Sequence, residues 1–91
     1  MTAHKTHPSK KFAIPARRMP IYYAIELERR AQDGQWGGAA HDDLHSNSEW
    51  IALVSKQLGQ ASAGTSKASA RTAFIKAAAL CCAAIESLDR A

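Results

Sequence analysis

Four closely spaced side chains have the chemistry of metal ligands. His41, Asp42, Asp43 and His45 lie within five positions of one another, and imidazole and carboxylate groups bind zinc or iron when three or four of them converge. The same carboxylates, followed by Ser46, are also typical of a helix start, where they interact with the positive end of the backbone dipole. We expect capping and loop hydrogen bonds here and no bound metal; a metal site and a contact with another protein are the alternatives.

The two cysteines are the other candidates for chemistry. Cys81 and Cys82 are neighbours in an Ala-rich apolar run, and helical geometry points successive side chains about 100° apart. We therefore expect small core residues and neither a disulfide nor a metal pair. The sequence also has no phosphate-binding loop and no nucleophile elbow. These observations argue against an enzyme and against a cofactor.

Basic residues are concentrated at the amino-terminal end. Residues 1–20 contain five of the 12 Lys and Arg residues and none of the eight Asp and Glu residues. Three prolines interrupt this segment, and we predict a basic, mostly irregular arm over residues 1–19 followed by one helical domain over residues 20–91. A basic arm can bind nucleic acid or an acidic protein surface, although many short basic tails are only solvated.

Apolar periodicity predicts an all-α domain of three helices. These helices span about 20–31, 47–61 and 69–90. Ser46 and Glu49 form a capping box for the second helix, and Glu26 and Arg30 have the spacing of an exposed ion pair on the first. Between the helices we expect an ordered glycine-containing loop near Trp36 and a flexible connector over 59–69.

The predicted buried faces follow from residues repeated at intervals of three and four. In the second helix they are Trp50, Ile51, Val54, Leu58 and Ala61. In the third helix they are Phe74, Ala77, Ala78, Cys81, Ile85 and Leu88. We expect the third helix to be the central one. A chain of 91 residues has a thin core, so docking on a partner or homodimerisation is expected.

Three segments resemble a known family. The segment Glu26–Gly37, the residues Glu49-Trp50-Ile51 and the run Lys76–Ala79 are similar to small phage and bacterial proteins akin to the MazG-type all-α nucleotide pyrophosphohydrolases. The resemblance covers roughly residues 22–90. In that family, carboxylates on two successive helices hold Mg²⁺ for the cleavage of nucleoside triphosphates. The corresponding positions here are Lys56, Gln57, Gln60, Ala73 and Lys76, with Glu49 as the one carboxylate left.

The resemblance therefore implies a helical fold whose catalytic carboxylates are lost. We expect a non-catalytic binding protein of phage or prophage type, such as an inhibitor of a host antiviral defence complex that is guided by nucleic acid. The alternative is a divergent metal-dependent nucleoside triphosphate pyrophosphohydrolase that uses the remaining carboxylates. Those carboxylates are Glu26, Glu28, Asp42, Asp43 and Glu49.

The expected partner is a host protein complex, nucleic acid bound by the basic arm, or both. The residues expected to bind it are Lys10, Lys11, Arg17, Arg18, Tyr22, Arg29, Arg30 and Trp36. No apolar run reaches the ~18 residues of a membrane span, and the amino terminus lacks the apolar core of a secretory signal. We therefore expect a cytoplasmic protein that does not insert into a membrane.

Overall fold

The computed structural model describes residues 12–91. Helices account for 84% of them and strands for none, which confirms the all-α class. A 3₁₀ turn at Ala16–Arg18 precedes four helices. These are α1 (Met19–Trp36), α2 (Ala39–Asp42), α3 (Asn47–Ala63) and α4 (Lys67–Arg90).

Helix α1 is longer than its sequence pattern predicts. It continues past residue 31 and through Gly34, where a Cβ atom would meet nothing within 4 Å. A glycine inside a helix costs about 1 kcal/mol relative to alanine, and the packing of α1 on α4 offsets this cost. The helix ends at Gly37, whose φ of 105° is left-handed and whose N–H donates to the Asp33 carbonyl at 3.0 Å.

Serine caps define the starts of α3 and α4. The Glu49 N–H donates to Ser46 Oγ at 3.2 Å, and the Ser46 N–H donates to Glu49 Oε1 at 2.7 Å, which confirms the predicted capping box. Ser66 caps α4 in the same way, accepting from the Ser69 N–H at 3.1 Å. The predicted long connector over 59–69 is therefore wrong, because only residues 64–66 separate the two helices.

Helix α4 is the centre of the fold. It contacts α1, α2 and α3, whereas α1 and α3 do not approach each other within the described part of the chain. The molecule is thus an open arrangement in which two helices flank a third. The gap between α1 and α3, with α4 as its floor, is the cleft described below.

The core is small and consists mainly of alanine. Its buried apolar residues are Trp50, Ala73, Ala77, Ala79 and Ala83. Alanine lets helix backbones approach closely, so the alanine side of α4 packs against its neighbours and bulkier side chains are turned outward. The predicted buried face of α4 is therefore wrong in part: Phe74, Cys81, Ile85 and Leu88 are exposed. Ile51 and Leu58 of α3 are exposed as well.

Helix α4 is also long and apolar enough to cross a membrane. Its best 18-residue window has a mean hydropathy of 1.4, and 22% of that window is buried. Core helices of proteins that never enter a membrane meet the same criterion. The finding by itself assigns no membrane location.

Candidate functional site: a cleft between α1 and α3

The cleft between α1 and α3 has a volume of about 500 Å³. Cavities of this size hold small ligands in many proteins. Two tryptophans line it: Trp36 at the end of α1 and Trp50 near the start of α3. Leu80 and Ala83 of α4 form part of its floor. The cleft therefore combines an apolar floor with aromatic side chains.

Four rings form a continuous aromatic row along one wall of the cleft. The Trp36 and His41 rings are stacked with centroids 5.9 Å apart. His41 meets His45 edge to face at 4.9 Å, and His45 meets Trp50 edge to face at 4.8 Å. The row links the end of α1 to the start of α3, because the two histidines lie in the short segment between these helices.

A buried arginine joins α1 to the histidine segment and to α4. The Arg29 guanidinium donates to Asp33 Oδ1 at 3.1 Å and to Glu86 Oε1 at 3.0 Å, and it lies 3.8 Å from Asp42 Oδ2. Burial lowers the pKa of Arg29, but the hydrogen bonds and charges of Glu86 and Asp33 outweigh that effect and raise it overall. Arg29 therefore stays charged and neutralises the acidic groups around it.

Asp43 makes a second ion pair with α4. Arg90 donates to Asp43 Oδ1 at 2.7 Å and Ser87 Oγ donates to the same oxygen at 2.8 Å. The hydrogen bonds from Arg90 and then Ser87 lower the pKa of Asp43, and the same contact with Asp43 raises the pKa of Arg90. Asp42 and Asp43 thus bind arginines of α1 and α4, whereas we predicted local capping. The cap of α3 is supplied by Ser46 and Glu49.

The cleft holds charges of both signs. Glu28 and Asp42 line it, and Lys56 of α3 and Lys76 of α4 line it as well. No group of three or more His, Cys, Asp and Glu side chains placed to hold a metal ion occurs among residues 12–91. Gln57 contributes a buried Oε1 that accepts no hydrogen bond from the described residues, so it could accept one from a ligand.

The predicted binding residues do not form one surface. Lys10 and Lys11 lie outside the described residues. Arg17, Arg18 and Tyr22 are exposed together at the 3₁₀ turn and the first turn of α1. Trp36 is exposed at the other end of the same helix, about 21 Å from Tyr22 along the helix axis at 1.5 Å per residue.

The other two predicted binding residues, Arg30 and Arg29, have different surroundings. Arg30 is exposed and its Nε donates to Glu26 Oε2 at 2.9 Å, which confirms the predicted ion pair. Arg29 is buried in the acidic network described above. Its burial and its carboxylate neighbours Asp33, Asp42 and Glu86 give it a role inside the domain. As a partner contact it stays a prediction.

Sequence reasoning missed Glu86 and Arg90, which hold Arg29 and Asp43. Their spacing could have indicated them, since these opposite charges lie four residues apart and therefore share one side of α4. Their partners lie 57 and 47 residues away in the chain. Only the fold identifies them.

Comparison with known proteins adds no relative. A scan against protein-family models, a search of curated proteins and a search of solved structures each give no match to this chain. The resemblance to MazG-type proteins accordingly stays a prediction.

Proposed function

We propose that this chain is a small non-catalytic binding protein of phage or prophage type, which inhibits a host antiviral defence complex guided by nucleic acid. It acts by contact with an anionic partner, either the nucleic acid of that complex or an acidic protein surface. The contact is made by the end of the domain that carries Arg17, Arg18, Tyr22 and Tyr23, which we call the basic end. The preceding arm adds further positive charge.

The observation that carries this proposal is the contrast between the two sets of arginines. Arg29 and Arg90 are held by carboxylates of the chain itself. Arg17 and Arg18 are exposed and form no ion pair with any described residue. Unpaired cations beside exposed tyrosines are a favourable surface for phosphates and bases, because arginine binds phosphate oxygens and aromatic rings stack on bases.

The state of the acidic residues supports binding over catalysis. Asp42 and Asp43, which flank His41 in the segment before α3, face arginines. Glu49 Oε1 lies 3.7 Å from His45 Nδ1 and accepts the Ser46 N–H of the helix cap. Lys56 and Lys76 add positive charge to the cleft. Mg²⁺ needs oxygen ligands whose charge is not already neutralised. The paired carboxylates and the two lysines of the cleft therefore suit an organic ligand better than a divalent cation.

A salt-titrated gel shift with single-stranded and duplex nucleic acid tests this proposal. Each phosphate contact contributes about −0.7 to −0.9 to the slope of log K against log salt, so the double variant R17Q/R18Q should lower the magnitude of the slope by about 1.5. The control K67Q removes an exposed charge at the start of α4 and should leave the slope unchanged. An unchanged slope in R17Q/R18Q would refute binding of nucleic acid by the basic end.

A complex that forms with acidic host protein but not with nucleic acid would assign the contact to the protein component. In that case capture of the defence complex by the wild-type chain should be lost in R17Q/R18Q and kept in K67Q. Equal capture by all three chains would exclude the basic end as the contact.

A second candidate function is the divergent nucleoside triphosphate pyrophosphohydrolase. The observation that favours it is the cleft itself, whose aromatic row could stack on a base and whose Glu28 carboxylate forms no ion pair with the described residues. Release of pyrophosphate from a panel of nucleotides with Mg²⁺ or Mn²⁺ tests it. Turnover in the wild type that is abolished by Glu28→Gln would replace the binding proposal, and no turnover would remove this candidate.

A further inference from the structure

Five residues of α4 form an apolar stripe, of which four are exposed and Ala78 is half-buried. Phe74, Ala78, Cys81, Ile85 and Leu88 follow one another at intervals of four, three, four and three. This is the heptad spacing of residues that pack between two helices. The three large side chains of the stripe are 57–58% exposed, so no described part of the chain covers them. We call these five residues the α4 stripe.

The α4 stripe faces away from the cleft. Lys76 and Ala83 line the cleft, and each lies two residues after a stripe residue, which corresponds to a rotation of about 200° around the helix. The stripe is therefore on the back of the molecule. A ligand or partner in the cleft would leave it uncovered.

Helix α3 extends this surface. Ile51 and Leu58 are seven residues apart and so share one side of α3, where they are 65% and 46% exposed. Leu53 and Lys56 of the same helix line the cleft, and helical rotation places Ile51 and Leu58 on the opposite side. Because α3 packs against α4, its exposed apolar side adjoins the α4 stripe.

We propose that this surface binds a second copy of the chain, with the two α4 helices antiparallel and a two-fold axis near Cys81. In that register Phe74 faces Leu88 of the second copy. Ala78, three residues before Cys81, lies opposite Ala84 of the second copy and beside Ile85 of the second copy, so a small side chain adjoins a large one. Cys81 faces its own equivalent. A two-fold interface requires such a self-complementary surface.

The charges at the ends of α4 favour the antiparallel direction. Arg71 and Asp89 are exposed, and neither forms an ion pair within the described part of the chain. They are 18 residues apart, which is five helical turns, so they lie on the same side of α4 about 27 Å from each other. Antiparallel pairing about Cys81 places each Arg71 near Asp89 of the second copy. Parallel pairing would place like charges together.

The apolar area is of the size that a dimer needs. The five large exposed side chains of α3 and α4 leave roughly 500 Å² of apolar surface in water, taking about 150–250 Å² for a full aromatic side chain and somewhat less for an aliphatic one. A standard interface buries about 800 Å² per partner, with a polar rim around an apolar centre. Arg71, Asp89 and the polar residues beside the stripe supply that rim.

Cysteine crosslinking tests the register in the full-length chain. Under mild oxidation, the variant Cys82→Ser, which retains Cys81, should form a covalent dimer, because two thiols at a two-fold axis come within disulfide range. The matched control Cys81→Ser retains Cys82, which is half-buried and rotated by about 100°, and should stay uncrosslinked. Crosslinking through Cys82 instead of Cys81 would refute the register.

Sedimentation equilibrium tests the interface without oxidation. We expect a wild-type dimer, a weaker one in R71D by about tenfold in Kd, and recovery in R71D/D89R, where the charges are exchanged. Ile85→Asp should give a monomer with unchanged helix content by circular dichroism. A wild-type monomer at about 100 μM would refute the proposal, and so would a monomer that floats with lipid vesicles, which would assign the stripe to a membrane surface.

Discussion

Replacement of Arg29 should destabilise the domain far more than replacement of any exposed arginine. Its guanidinium connects α1 to Glu86 of α4 and to Asp42 of α2. Arg29→Met keeps the aliphatic part of the side chain and removes the charge. The variant therefore leaves packing largely intact and tests the electrostatic role of this residue.

The expected loss of stability depends on the carboxylates that Arg29→Met leaves without a partner. Breaking a fully buried ion pair costs about 3–5 kcal/mol, because the remaining charge stays out of water. Here only Asp42 stays buried, whereas the side chains of Asp33 and Glu86 are about half exposed and can be rehydrated. We expect a loss of about 2–3 kcal/mol, which is a large part of the ~5–13 kcal/mol that a domain of this length has.

Urea unfolding followed by circular dichroism at 222 nm measures this loss. The matched control is Arg30→Met, because the Arg30 side chain is 72% exposed against 9% for Arg29, and its pair with Glu26 should contribute less than about 0.5 kcal/mol. Adding Asp42→Asn to Arg29→Met should recover about 1 kcal/mol by removing the stranded charge. Equal losses in the two arginine variants would refute the reasoning.

The other predictions concern α1, α3 and the acid stability of the domain. Gly34→Ala should stabilise the protein by up to about 1 kcal/mol, since this position is helical and open. Gly37→Ala should destabilise it by about 1–2 kcal/mol, since its φ of 105° strains an L residue. Thermal melting measures both changes, and shifts of the same sign would contradict the observed end of α1. Ser46→Ala should cost about 1 kcal/mol through loss of the helix cap, and the neighbouring Ser48→Ala should be nearly neutral; equal urea midpoints for these two variants would exclude the cap. The pKa of Asp43 is lowered by hydrogen bonds from α4, so its contribution is complete above about pH 4, where an unfolded carboxyl titrates, and is lost as the pH falls through the lower folded pKa. Asp43→Asn should therefore flatten the decline of the urea midpoint below about pH 4, and parallel wild-type and variant curves would show that this pair does not contribute.

Local features of this protein could be predicted from the sequence because they involve residues within one helical turn. The capping box of Ser46 and Glu49 and the ion pair of Glu26 with Arg30 join residues three and four positions apart. The all-α class follows equally from apolar periodicity. The end of α1 could not be placed this way, since Gly34 disfavours a helix locally and the contacts of α1 with α4 lie far away in the chain.

The sequence by itself determined that α4 would be the apolar central helix, but only the tertiary structure decided which of its sides is buried. Apolar residues surround most of this helix, so periodicity pointed to a side that joins Ala77 with Phe74, Ile85 and Leu88. The fold buries Ala77 as predicted, but together with Ala73, Ala79 and Ala83. Side-chain volume explains the outcome, because small residues allow the close approach of neighbouring helices. The large residues are left on the back of the molecule, where a second copy can cover them.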